Sequence, residues 1–218
     1  MHGRSVLRRA RRWVWLAVSV IACSTGAGAA HADEPETFAI SVRLHVEHSI
    51  ASRVIQRDVE DETESLWRPY GVHIEWSDAP FSDAEADGFA LEATVERSAL
   101  SKWTAVLGRA TVGQDAVSRR SIRVSFDATE RVLESRTPVR IATRRELARA
   151  LGRVLAHEIG HVLLAVPYHE TTGLMRANFA PNDLADPDCA LYRLTPTGVT
   201  RLRDRVHLLT GTSLTFDF

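Results

Sequence analysis

The run His157-Glu158-Ile159-Gly160-His161 sets two imidazoles and a carboxylate at a spacing with a chemical use. On a helix, side chains four apart share a face, so both imidazoles can reach one ion at about 2.0–2.1 Å. Glu158 is offset, so its carboxylate can meet a water on the metal without being a ligand itself. Zinc brings the pKa of such a water to about 7, and a nearby carboxylate can take its proton as it attacks a carbonyl. His157 and His161 are therefore candidate zinc ligands, and Glu158 is the candidate general base. A catalytic zinc site takes a third ligand from the protein and leaves a fourth position open. The next histidine is His169, and Glu170 beside it is the alternative, since zinc also accepts carboxylate. Thr172-Gly173-Leu174-Met175 then reads as a tight turn presenting a methionine.

The helix that must hold these groups is strongly marked. Thr143 with Glu146 makes a capping box, Leu147, Leu151, Val154, Leu155, Ile159, Val162 and Leu163 continue the helix, and Pro167 is expected to end it. Near that end it is apolar nearly all round, which predicts burial on several sides. Two histidines and a glutamate are costly to bury there unless something pairs them, and a metal does.

The other elements are read from periodicity. Residues 38–46 alternate strictly, with Phe38, Ile40, Val42, Leu44 and Val46 on one face of a half-buried strand. Residues 51–67 read as a helix, with Val54, Ile55, Val59 and Leu66 inward and the acidic run Asp58 to Glu64 mostly in solvent. Pro69 and Gly71 break it, and Val72, Ile74 and Trp76 alternate as a second strand. Weaker strands are expected at 89–96, 103–112 and 121–126, and a short helix at 127–135. Ser77–Gly88 reads as a surface loop and Tyr168–Tyr192 as a loop region. Thr195-Pro196 starts a final amphipathic helix that Gly211 stops. Helices stacked on a small mixed sheet give an α+β domain. His45, His73 and His207 fall on polar faces and are expected in solvent. Trp67, Trp76 and Trp103 fit either a core or a cleft.

Composition, with 44% hydrophobic and 25% charged residues, is that of an ordinary globular chain. The exception is the front. Five arginines between Arg4 and Arg12 precede the apolar run Trp13–Ala22, and small residues end in Ala30-His31-Ala32. That order is the pattern of an export signal, which puts residues 1–32 as a cleaved leader and 33–218 as the single domain, in the periplasm, cell envelope or outside the cell. Val20-Ile21-Ala22-Cys23 also resembles a lipobox, which would cut before Cys23, lipidate it and anchor the protein to a membrane. Cleavage after Ala32 removes five arginines and no acid from 27 basic against 28 acidic residues, leaving about −6, a poor charge for a nucleic-acid partner. Only Cys189 then remains, so no disulfide framework is expected and packing must supply the stability.

The order His157, Glu158, His161, His169, Met175 resembles the metzincin clan of zinc peptidases, which carry HExxHxxGxxH and a methionine turn beneath the metal. Here the spacing is HExxH-x7-H, and the clan's glycine and third histidine would fall at Leu164 and Pro167. Leu147 to Phe179 resembles more closely a group of small exported bacterial proteins known as predicted zinc peptidases. The resemblance implies a metzincin-like, zincin-type fold with His157, His161 and His169 on zinc and Met175 as the floor. It also implies a peptide or protein substrate. A strand at 104–110 or 121–126 is expected to offer an edge for an extended peptide. Two other readings stay open, a zinc-containing binding or assembly protein and a zinc amidase acting on a non-peptide or cell-wall substrate.

Overall fold

The strict alternation of residues 38–46 becomes strand β1, Phe38–Val46, whose apolar face, Phe38 to Val46 at every second residue, is buried while Ala39 and His45 are exposed. The computed structural model describes residues 37–50, 53–79, 89–97, 106–111, 120–136, 138–187 and 190–211. The proposed leader, Cys23, Trp103, Cys189 and most of the Ser77–Gly88 loop lie outside these residues. After β1 come helix α1 (Arg53–Trp67), a 3-10 turn at Arg68–Tyr70 and strand β2 (Val72–Trp76). Strands β3 (Ala90–Glu96), β4 (Gly108–Thr111) and β5 (Arg120–Ser125) complete one sheet of order β2-β1-β3-β5-β4. All neighbours run parallel except β4, which pairs antiparallel with β5 at the end of the sheet. The sheet is therefore mixed, as an α+β domain of this size was expected to have. Of the two strands expected to offer an edge, 121–126 does not: β5 is paired on both sides, because β4 covers it.

Four helices follow the sheet: α2 (Phe126–Glu134), α3 (Arg144–Leu163), the short α4 (Pro181–Ala185) and α5 (Pro196–Thr210). The segment expected as loop between Tyr168 and Tyr192 thus contains α4 and a 3-10 turn at Ala190–Tyr192. The inward face of the sheet shares one apolar core with α1 and α3, including Ile40, Val42, Leu91, Val124, Val59, Leu151 and Leu155. On the outward face, Arg43–Glu92 at 3.4 Å and Arg123–Glu96 are ion pairs between neighbouring strands. His45, His73 and His207 are exposed, as their polar positions predict, and Trp67 is fully buried in the core. Among the described residues no helix is long and apolar enough to cross a membrane.

Helix α3 is the organising element. Its capping box is complete: the Thr143 hydroxyl accepts from the Glu146 amide, and Glu146 accepts from the Thr143 amide at 2.9 Å. From Ala150 to Leu163 every residue is buried, including Arg153. That arginine explains why the acidic run on α1 is not wholly solvated. Its Nε donates to Glu62 at 2.8 Å, its other nitrogens donate to the Asp183 and Asp186 carbonyls, and its guanidinium lies 4.4 Å over the Tyr192 ring. A charge buried to that depth needs its hydrogen bonds filled, and here Glu62 of α1 and the carbonyls of Asp183 and Asp186 fill them, with the Tyr192 ring against the guanidinium face.

The helix stops at Leu163, earlier than Pro167 led one to expect. The cause is Ala165, which takes φ 50 and reverses the chain. Its amide donates to the Val162 carbonyl at 3.4 Å and the next amide, Val166, to the His161 carbonyl at 3.2 Å. This pair of bonds is a Schellman stop with alanine where glycine is usual. A side chain in the left-handed region costs about 1–2 kcal/mol, part of which a glycine's freer unfolded chain gives back. Ala165→Gly should therefore stabilise the fold by about 0.5–1 kcal/mol in urea unfolding. Destabilisation would mean that the alanine methyl has a packing role.

Candidate metal centre

Two consecutive turns of α3 carry His157 and His161 on one face, both buried. Their Nε2 atoms stand 3.0 Å apart, and the Nε2 of His169 stands 3.2 Å from that of His161. The three ligand atoms all lie within 4.8 Å of one another. The other ring nitrogens are already engaged. Nδ1 of His157 lies 2.7 Å from the Leu174 carbonyl, and Nδ1 of His161 lies 2.8 Å from the Val166 carbonyl. A carbonyl can only accept, so each Nδ1 carries the proton and each Nε2 presents its lone pair. Burial holds His157 neutral by pushing its pKa down to about 4, and it lowers that of His161 as well. Neutral imidazoles with their lone pairs converging at 3 Å repel unless a cation lies among them. Donors at 2.0–2.1 Å around a tetrahedral ion would be roughly 3.3 Å apart. The donor set therefore fits zinc.

The surroundings of each ligand have local causes. The carbonyl that orients His161 belongs to Val166, the residue that the Ala165 reversal folds back under the helix end. The carbonyl that orients His157 comes from Leu174, in the turn read from the sequence, where Gly173 has φ 77. Met175, next to it, is only 1% exposed and packs on α3 at Gly160, where a Cβ would overlap the methionine sulfur and approach its Cε to 3.1 Å. The glycine inside the motif thus makes room for the methionine between the two histidine positions. His169 is exposed and stacks on His157, with ring centres 5.2 Å apart and planes 12° apart. Phe179 meets the His157 ring in a perpendicular contact, at 5.2 Å and 86°.

Glu170, the alternative ligand, is turned elsewhere. Its carboxylate accepts from the Thr195 hydroxyl at 2.7 Å and faces Arg201 at 3.6 Å. Its amide donates to the Met175 carbonyl at 2.8 Å. The side-chain bonds fasten the strap that carries His169 to α5, and the amide bond holds it to the methionine turn.

Glu158 is buried against strand β4. Burial pushes its carboxyl up to about 7, while the Ala110 amide, which donates to it, and the charge of Arg109 pull the other way. Gly108, Arg109 and Ala110 face Ala165, Val166 and Pro167 across a cleft of about 520 Å³, with Glu158, His161 and His169 in its wall. The imidazole cluster is therefore open on one side, unlike a closed structural zinc site. A strand at 104–110 was expected to offer a peptide an edge, but its contact with Glu158 was not announced by the sequence. Gly108-Arg109-Ala110 carries no motif, and only the pairing of β4 with β5 brings it to α3.

No protein-family model matches the chain, and no curated protein matches it. Among solved structures the chain is similar to archaemetzincin from Methanopyrus kandleri, with 14% identity and a TM-score of 0.45 over 78% of this chain and 96% of that one. What the site can do follows from its own atoms.

Proposed function

We propose that the chain is an exported zinc metallopeptidase, with His157, His161 and His169 as the metal ligands and Glu158 as the general base. The observation that carries this reading is the convergence of three Nε2 atoms, two of them oriented by backbone carbonyls, beside a buried carboxylate at an open cleft. Zinc bound there supplies Lewis acidity to a substrate carbonyl and makes water a nucleophile at neutral pH. Glu158 takes the proton from the attacking water and gives it to the leaving amine. Leu174 and Val166 keep the imidazoles in one tautomer throughout. The cleft lies beside β4, whose outer side pairs with no strand among the described residues, and has room for an extended peptide.

A purely structural zinc site has no use for a carboxylate placed as Glu158 is, which disfavours the binding-protein reading. Digestion of a peptide library, with and without a chelator, tests the proposal. Cleavage should be lost with the chelator and return with about one equivalent of zinc per chain. A folded protein that neither holds nor takes up zinc would sink it. Export rests on residues 1–32 alone, and mass spectrometry should find the mature N-terminus at Asp33. A diacylated Cys23 would instead make the protein membrane-anchored.

A further inference from the structure

The base of this site is held from outside its own helix. In the β4–β5 ladder the Ser125 amide donates to the Leu107 carbonyl at 2.8 Å, and the register pairs Gly108 with Val124, Arg109 with Arg123 and Ala110 with Ile122. In an antiparallel ladder bonded and non-bonded pairs alternate. The Leu107 and Arg109 pairs are therefore bonded to β5, while the amides and carbonyls of Gly108 and Ala110 point off the sheet. Glu158 lies at that edge, and it accepts a hydrogen bond from the Ala110 amide. A Cβ added to Gly108 would stand 2.7 Å from its Oε1, 2.8 Å from its Cγ and 3.0 Å from its Cδ. Glu158 thus fills the gap left by the missing side chain at 108 and takes the ladder amide left over at 110.

We infer that Gly108 and Ala110 are positioning residues for Glu158: the edge strand, not α3, fixes where the general base sits. The inference rests on the peptidase reading for its kinetic consequence but not for its geometry. An amide pointing off an edge strand is open to solvent exchange unless something bonds it, so Glu158 is what protects the Ala110 amide.

Two measurements on the full zinc-loaded protein test this. In residue-resolved amide exchange, Glu158→Ala should raise the Ala110 rate by about tenfold or more and leave Arg109, bonded in the ladder, unchanged. Equal rates at Ala110 with and without Glu158 would overturn the inference and leave the peptidase reading standing. On a cleaved peptide, Gly108→Ala should lower kcat by about 10²-fold, the cost of a misplacement on the order of 1 Å, with KM and zinc content within about twofold. Glu158→Asp, shorter by one methylene, draws the carboxylate away from the new methyl. The combined loss in Gly108→Ala/Glu158→Asp should therefore fall well short of the product of the two single losses. Losses that multiply would show that Gly108 acts elsewhere. If no peptide is cleaved at all, the exchange experiment alone decides.

Discussion

Glu158→Gln should leave zinc bound and the fold intact, and slow peptide hydrolysis by about 10²–10⁴-fold, the usual contribution of a positioned base. The replacement has the same shape, so the tight fit against Gly108 survives, and its amide oxygen can still accept from Ala110. What it loses is the ability to take and return a proton. The imidazoles are oriented by Leu174 and Val166 and not by Glu158, so metal content should not change. The loss should therefore appear in kcat, with zinc analysis and thermal melting beside it as controls. Wild-type activity in the variant would remove Glu158 from the mechanism. A wild type as inactive as the variant on every peptide would favour a protein that keeps the metal without using it.

The parts of this site that lie close together in sequence were legible in it. The capping box at Thr143, the apolar wrap of α3 and the four-residue spacing of His157 and His161 are local features, and each appears in the structure where the sequence put it. The alternation of β1 was equally plain, because one face of that strand is buried and the other is not. Three features were hidden, for different reasons. The helix stop was assigned to Pro167 because Ala165 gives no sign of a left-handed turn, which the surrounding bonds to Val162 and His161 carbonyls impose. Arg153 looks polar in sequence and proves buried, because its partners come from α1 and from the carbonyls of α4. The contact of Gly108 and Ala110 with Glu158 spans 50 and 48 residues and depends on strand order, which no local pattern encodes.

The strap after the helix decides the third ligand, and a pair of substitutions separates the candidates. His169→Ala should weaken zinc binding by more than the 10–100-fold typical of losing an outer partner, because it removes a donor outright. Glu170→Ala should weaken it by less than about tenfold, since the carboxylate is spent on Thr195 and Arg201 and points away from the imidazoles. It should instead cost about 1 kcal/mol of stability, by freeing the strap from the start of α5. Its backbone bond to Met175, which keeps the strap against the methionine turn, does not depend on the side chain. The two-residue excess over HExxHxxGxxH has a structural counterpart. The chain reverses at Ala165 and then runs on through Pro167 and Tyr168 before His169 comes back over His157. Competition titration with a chromophoric chelator reads both affinities on the same scale. If Glu170→Ala proves the more damaging, the ligand set is two histidines and a carboxylate, and the strap must move to bring that carboxylate in.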